Sequence, residues 1–190
     1  MSFTATFPVG LTVEWMPPED ANIPNVTLKD WLLDTGSLTD RVQSLCNSFS
    51  LRLLGQEVLT PHKNELSLLQ GNKETHHQAT SYQVREILLC DNDSPWVFAR
   101  SVIPQAIIDA ELSNLGREPL GKRLFNDKRF LRSEFQVCKL SSAQATQLGG
   151  DTSHSLWGRR SVFTFEAHHL IVAEVFLPPS PVYASNGVYL

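Results

Sequence analysis

The sequence has no long apolar run, no strong charge of one sign and few cysteines. Its longest uncharged apolar stretches, 170–173 and 175–177, fall far short of the roughly 18 residues that a membrane-spanning helix needs. Sixteen Lys plus Arg stand against twenty Asp plus Glu, a net charge of −4. That balance leaves no broad basic surface to follow a phosphate backbone, and no nucleic acid partner is expected. The three cysteines, Cys46, Cys90 and Cys138, are widely spaced and form no C-x-x-C pair. A disulfide framework is thereby excluded, and each is read as a small buried or half-buried apolar side chain. The opening MSFTATFPVGLTVEW carries no Lys or Arg ahead of its apolar residues, so no secretory signal is read and the cytoplasm is the expected compartment. G-x-S-x-G elbows, G-x-x-x-x-G-K-[ST] loops and G-x-G-x-x-G turns are missing, and with them the signatures of serine hydrolases, P-loop proteins and dinucleotide-binding folds. Among the six histidines, His76-His77 and His168-His169 are adjacent pairs whose side chains point apart on an extended chain. With no H-E-x-x-H spacing, no metal site is expected.

What is present suits one globular unit. A chain of 190 residues, 42% hydrophobic, can bury one sizeable core. It reads as one domain over 1–190, with an extended Pro-rich arm at 1–26 and a C-terminal tail at 184–190. A helix is predicted at 28–33 with Asn25 or Thr27 as cap, and a second from Leu38 with Ser37 as N-cap and Asp40 in its first turn. Residues 49–53 alternate as a strand with one wet face, and the polar stretch 61–80 reads as a loop. The β-rich runs 82–90 and 96–103 flank the turn-forming Asp91-Asn92-Asp93-Ser94-Pro95 and read as a hairpin. Helical spacing runs from Gln105 to Leu115, ending at Gly116, and a short helix is predicted at 120–125. Three more strands follow at 130–140, 156–166 and 170–177, the last two joined by a turn at Ala167-His168-His169. Six strands, mostly adjacent or hairpin-connected, predict an α+β fold: an antiparallel sheet with helices on one face.

Glu174 is the most informative residue, because it lies in a run (170–177) otherwise free of charge and shares a strand face with Leu170, Val172 and Phe176. A carboxylate on such a face must be paired, hydrogen-bonded or protonated, and groups of this kind serve as general acids or bases. Arg85 is the second candidate, mid-strand on the face that holds Ile87 and Leu89, with a fork of donors suited to a carboxylate. Two readings stand open: Arg85 and Glu174 line one pocket, or they pair with each other or with Glu86. The basic turn 157–161 could bind an anion, but Arg159 and Arg160 point to opposite faces of one strand, so at most one serves a given site and surface charge is the expected role; Arg132 has the same ambiguity.

Four segments carry a resemblance to a known family. They are Asp30-Trp31-Leu32-Leu33 with Gly36-Ser37-Leu38-Thr39, then Arg85-Glu86-Ile87-Leu88-Leu89-Cys90 with Pro95-Trp96, then Pro119-Leu120-Gly121 with Leu124-Phe125. The last is Leu156-Trp157-Gly158-Arg159-Arg160-Ser161 with Glu174-Val175-Phe176-Leu177-Pro178 and Ser180-Pro181. In order and spacing over about 28–183 they resemble the bacterial chorismate pyruvate-lyases, which make 4-hydroxybenzoate for ubiquinone synthesis. The resemblance implies a six-stranded antiparallel sheet and a buried ligand pocket closed by two helix-turn flaps, with no cofactor or metal. It implies that Arg85 binds the ring carboxylate together with the backbone amides of Leu38 and Leu120, and that Glu174 faces the ring hydroxyl and the leaving side. Arg132 is a candidate for the enolpyruvyl carboxylate. Position 38 carries Leu where the family commonly has Met, and the stretches 62–80 and 139–153 are longer than in compact members.

The implied reaction splits chorismate into 4-hydroxybenzoate and pyruvate, with Glu174 protonating the departing group or accepting the C4 proton, or with a concerted internal transfer. Slow release and product inhibition are expected if flaps must open. The chain is expected to act as a monomer on small molecules, without membrane insertion. The rival reading is a non-catalytic domain of the same fold that binds aromatic carboxylates, as in the effector domains of bacterial transcription regulators. Those regulators carry an N-terminal helix-turn-helix, for which the Pro-rich residues ahead of Trp31 are too few, and the enzyme is therefore the expected reading.

Overall fold

In the computed structural model the described residues are 3, 5–70, 81–113, 118–149 and 155–184. The core of the fold is the hairpin of β2 (Tyr82–Asp91) and β3 (Ser94–Pro104), whose β-branched and aromatic residues are nearly all buried. Its turn is Asn92-Asp93, with Asn92 in the left-handed region at φ 52°. The sheet grows from there: β1 (Phe49–Val58) lies outside β2, and β7 (His168–Phe176) lies beside β3. Next comes β6 (Trp157–Phe165), followed by β4 (Leu131–Arg132), with β5 (Gln136–Lys139) also on β6. Every pairing is antiparallel. β1 is longer than the predicted 49–53 and carries a bulge between Leu53 and Gly55, where a Cβ on Gly55 would collide with the Phe7 ring.

Seven strands stand where six were predicted, because the segment 130–140 is interrupted. At the break Ser133 N–H donates to the Val162 carbonyl and Val162 N–H donates to Ser133 Oγ, while Phe135 turns inward and is buried. The β6–β7 turn is Glu166-Ala167, with Glu166 at φ 51°, so His168 and His169 belong to β7 instead of the turn.

Helices lie on both faces of the sheet, which corrects the one-sided prediction. On the first face α1 (Val26–Leu32) and α2 (Leu38–Leu45) pack over Ile87, Leu89, Ala99 and Phe176. The helical turn α4 (Gln105–Ile107) with its π-helical extension Ile108–Leu112, and α5 (Leu120–Asn126), pack over Ile103, Phe163 and Leu170. On the second face lie the N-terminal arm through Leu11 and Val13, α3 (Lys63–Gln70) through Leu69, and α6 (Ser142–Gln147) through Ala145. α3 occupies part of the predicted 61–80 loop, and its helical pattern was hidden because one of its two buried residues is a charge, Glu65. α6 opens with a capping box between Ser141 and Gln144. Ser37 caps α2 as read from the sequence, and of the two candidates Asn25 and Thr27 it is Asn25 that caps α1. The predicted helix end at Leu115-Gly116, the His76-His77 pair and the tail beyond 184 lie outside the described residues. No described helix is long and apolar enough to cross a membrane.

Candidate active site

Glu174 lies on β7 between Ala99 of β3 and Arg159 of β6, all three on the face covered by α1, α2 and α5. Arg159 Nε donates to Glu174 Oε2 at 2.7 Å, and Arg159 Nη1 donates to the carbonyls of Trp31 at 3.1 Å and Asp34 at 2.8 Å. Arg159 is 2% exposed and Arg160, on the opposite face, 7%. The expectation that this pair is surface charge is therefore wrong for both. The signal that could have found Arg159 was Glu174 itself: a charge on a buried strand requires a partner, and the neighbouring strand offers this one.

Arg85 shares that face. It stands opposite Gln56 on one side and Ser101 on the other, donating from Nη1 to Gln56 Oε1 at 2.7 Å and from Nη2 to the Glu118 carbonyl at 3.1 Å. Burial pulls its guanidinium below the ordinary value. Glu86 points to the other face, where it binds Arg100. Arg85 and Glu174 sit two strands and two residues apart, which at β-sheet spacings is roughly 12 Å between Cα atoms.

Two helix starts close over the sheet. Leu38 is the first residue of α2, after the Ser37 cap, and Leu120 is the first of α5, after Pro119. The two flaps touch where Gly121 approaches Thr39, whose Oγ1 lies 3.1 Å from where a Cβ would stand. Arg132 Nη2 donates to the Thr35 carbonyl at 2.6 Å, and its guanidinium lies near the rings of Phe125 and Phe135. Burial first, then the charge of Arg159, lowers the Arg132 pKa. Burial works against ionisation of Asp34, but hydrogen bonds from Gly36 N–H and Arg41, with the charges of Arg41 and Arg159, hold its carboxyl below 3.8.

Leu38, Thr39, Arg132, Arg159, Ser161 and Glu174 are among the residues around a cavity of about 20 Å³. That is room for about one water, and too little for a ring-sized ligand in this arrangement. The structure thus brings Leu38, Arg132 and Glu174 to one cavity and adds Arg159, Ser161 and Thr39, which the sequence reading did not count among the site residues. Arg85 and Leu120 are not among its lining residues, although Leu120 opens the flap that carries Gly121. Among the described residues no group of three His, Cys, Asp or Glu could hold a metal.

A large antiparallel sheet with helices on both faces defines an α+β class, here with buried arginines around a small cavity. The fold is similar to that of the effector domain of PhnF from Mycobacterium smegmatis, with a TM-score of 0.53 over 75% of this chain and 89% of that one. Identity there is 13%, so the likeness is one of fold alone. In sequence, residues 11–188 match the family described as chorismate lyase. The chain is 42% identical over 185 residues to a protein of Pseudoalteromonas atlantica named "Probable chorismate pyruvate-lyase", covering 95% of this chain and 94% of that one. A protein of the same name from Idiomarina loihiensis is 36% identical, covering 96% and 94%. The chain belongs to the chorismate lyase family.

Proposed function

We propose that the protein is a chorismate pyruvate-lyase, a carbon–oxygen lyase that converts chorismate to 4-hydroxybenzoate and pyruvate. The observation that carries this reading is the charge on the flap-covered face near the cavity: Arg85, Arg132 and Arg159 stand there with the carboxylate Glu174, while the neighbouring Asp34 is paired with Arg41. An excess of two cations in a place closed from water matches the two carboxylates of chorismate.

In this reading Arg85 holds the ring carboxylate with the N–H groups of Leu38 and Leu120, and Arg132 takes the enolpyruvyl carboxylate. Each arginine exchanges a main-chain carbonyl for a ligand oxygen, Glu118 for Arg85 and Thr35 for Arg132. Glu174 binds the C4 hydroxyl. The ether bond at ring C3 breaks, its electron pair leaves with the enolpyruvyl oxygen, and the C4 hydrogen departs as a proton. The ring becomes aromatic, and the leaving group takes up a proton and is released as pyruvate. All atoms of chorismate end in the two products, and aromatisation supplies the driving force, so the protein's work is orientation and charge compensation. We further propose that the chain works as one domain and a monomer in the cytoplasm, feeding 4-hydroxybenzoate to ubiquinone synthesis, and that the flaps make release slow.

The test is incubation of the purified, EDTA-treated protein with chorismate, following pyruvate and identifying the hydroxybenzoate by chromatography, beside Arg85→Ala and Glu174→Ala variants of verified fold. Equal amounts of pyruvate and 4-hydroxybenzoate, lost in both variants, are expected. Saturable binding of 4-hydroxybenzoate without turnover would overturn the enzyme reading in favour of an effector-binding domain.

A further inference from the structure

Glu174 can act on a ligand only if its carboxylate is held in one orientation, and the group that holds it is also attached to a flap. Arg159 faces Glu174 across the β6–β7 pair and donates to it through Nε at 2.7 Å. The other end of the same guanidinium reaches the Trp31 and Asp34 carbonyls, at the end of α1 and in the turn leading to α2. Arg159 is 2% exposed, and its guanidinium lies 4.6 Å from the centroid of the Phe135 ring, so the fork has little room to turn. Around this pair, Arg132 comes from β4, and Asp34 from the flap turn is itself paired with Arg41 at 2.7 Å. One planar side chain therefore joins the carboxylate on the sheet to the segment that carries the Leu38 amide.

We propose that Arg159 is a positioning residue, whose guanidinium ties the Glu174 carboxylate to the Trp31 and Asp34 carbonyls so that Glu174 is oriented for reaction only while the α1–α2 flap is seated. The inference rests on the lyase reading and deepens it. It assigns to the flap a second role besides enclosing the ligand: opening the flap releases the carboxylate from its working orientation. Lysine at this position would keep the charge but, as a single ammonium on a flexible stem, could not hold both ends in one plane.

The test is steady-state kinetics on Arg159→Lys and Arg159→Gln, each alone and combined with Glu174→Gln, with a thermal melt of every variant and the unsubstituted chain beside them. Each single substitution is expected to lower kcat on the order of 100-fold, the scale of a misplaced catalytic group. KM should change less than about threefold, because the loss is confined to the reacting arrangement. On the Glu174→Gln background the same substitutions should cost less than about threefold more, since residues acting as one unit are not additive. An Arg159 that merely supported the fold would lower activity by the same factor in both backgrounds, and that result would overturn the proposal. So would an Arg159→Lys variant with nearly full kcat, or failure of both variants to fold. An unsubstituted chain that does not turn over chorismate removes the lyase reading and this inference with it, an outcome distinct from an active chain indifferent to Arg159.

Discussion

The two faces of the sheet both bury arginine, and they use it differently. On the arm-covered face Arg100 donates to both oxygens of Glu65, at 2.8 and 3.0 Å, and to Glu86 at 2.9 Å. Glu86, fully buried, also accepts from the N–H groups of Val9 and Gly10 at 2.7 and 2.9 Å. Arg160 completes the set, bonded to Gln136 and lying over the Trp15 ring, its pKa pushed down to about 10 by burial. Two cations meet two carboxylates, and the result fastens the arm and α3 to the sheet. On the flap-covered face Arg85, Arg132 and Arg159 accompany Glu174, and each has a donor on a main-chain carbonyl beside the flaps, of Glu118, Thr35, or Trp31 and Asp34. A buried charge compensated by fixed partners is part of the scaffold. In the lyase reading, a surplus resting on flap backbone is the place kept for a ligand.

That contrast can be broken most forcefully on the balanced face. Glu86→Ala strips Arg100 and two arm amides of a partner at once and should cost about 3–5 kcal/mol in urea unfolding, the scale of a broken buried ion pair. A loss below about 1 kcal/mol would mean that this face is no scaffold. Arg85→Ala should act in the opposite sense. Unfolding should weaken by only about 1–3 kcal/mol for the freed Gln56 and carbonyl partners, while turnover falls on the order of 100-fold, which is about 2.7 kcal/mol. Equal damage to stability by both substitutions would erase the distinction between the faces.

Gly121→Ala sharpens the comparison within the flap face. The new methyl would stand 3.1 Å from Thr39 Oγ1, so the flaps must seat a few tenths of an ångström apart. Stopped-flow binding of 4-hydroxybenzoate should show release faster by a few-fold, with the melt moved little; unchanged release would mean that the flaps do not limit it. The smallest effect is expected in acid. The Asp34 carboxyl is held below 3.8, so the stability it lends is complete above about pH 4 and is lost as pH falls through its lowered value. Faster hydrogen exchange at the Gly36 amide and a change in Trp31 fluorescence, through the Arg41 guanidinium 3.8 Å above that ring, should report the loosened turn below pH 4. Indifference of both signals at every pH down to acid unfolding would remove Asp34 from the account of the flap.

Much of this was legible in the chain. The hairpin, the Asn25 and Ser37 caps and the paired strands at 157–165 and 168–176 follow from alternation and capping chemistry, which act over a few residues. Glu174 and Arg85 stood out because a lone charge in an apolar strand is conspicuous. Harder to read were features decided by distant partners. α3 is helical with Glu65 seated on Arg100, 35 residues away in sequence. Arg159 is buried because Trp31 and Asp34, more than 120 residues earlier, supply the carbonyls that satisfy it. The break at Ser133 exists because Phe135 turns inward, a choice that an alternating pattern cannot express.

The two rims of the sheet carry a consequence for behaviour in crowded solution. β1 is bent by its bulge at Leu53 and Gly55 and shows Arg52 and Glu57 to solvent, while the far rim is split at Ser133 into two short pieces. Neither offers the long, flat, uncharged template that strand-by-strand growth between molecules requires. If the flaps part as the lyase reading requires, apolar side chains are exposed each time, and rims of this kind keep the sheet from becoming the seed of a fibril.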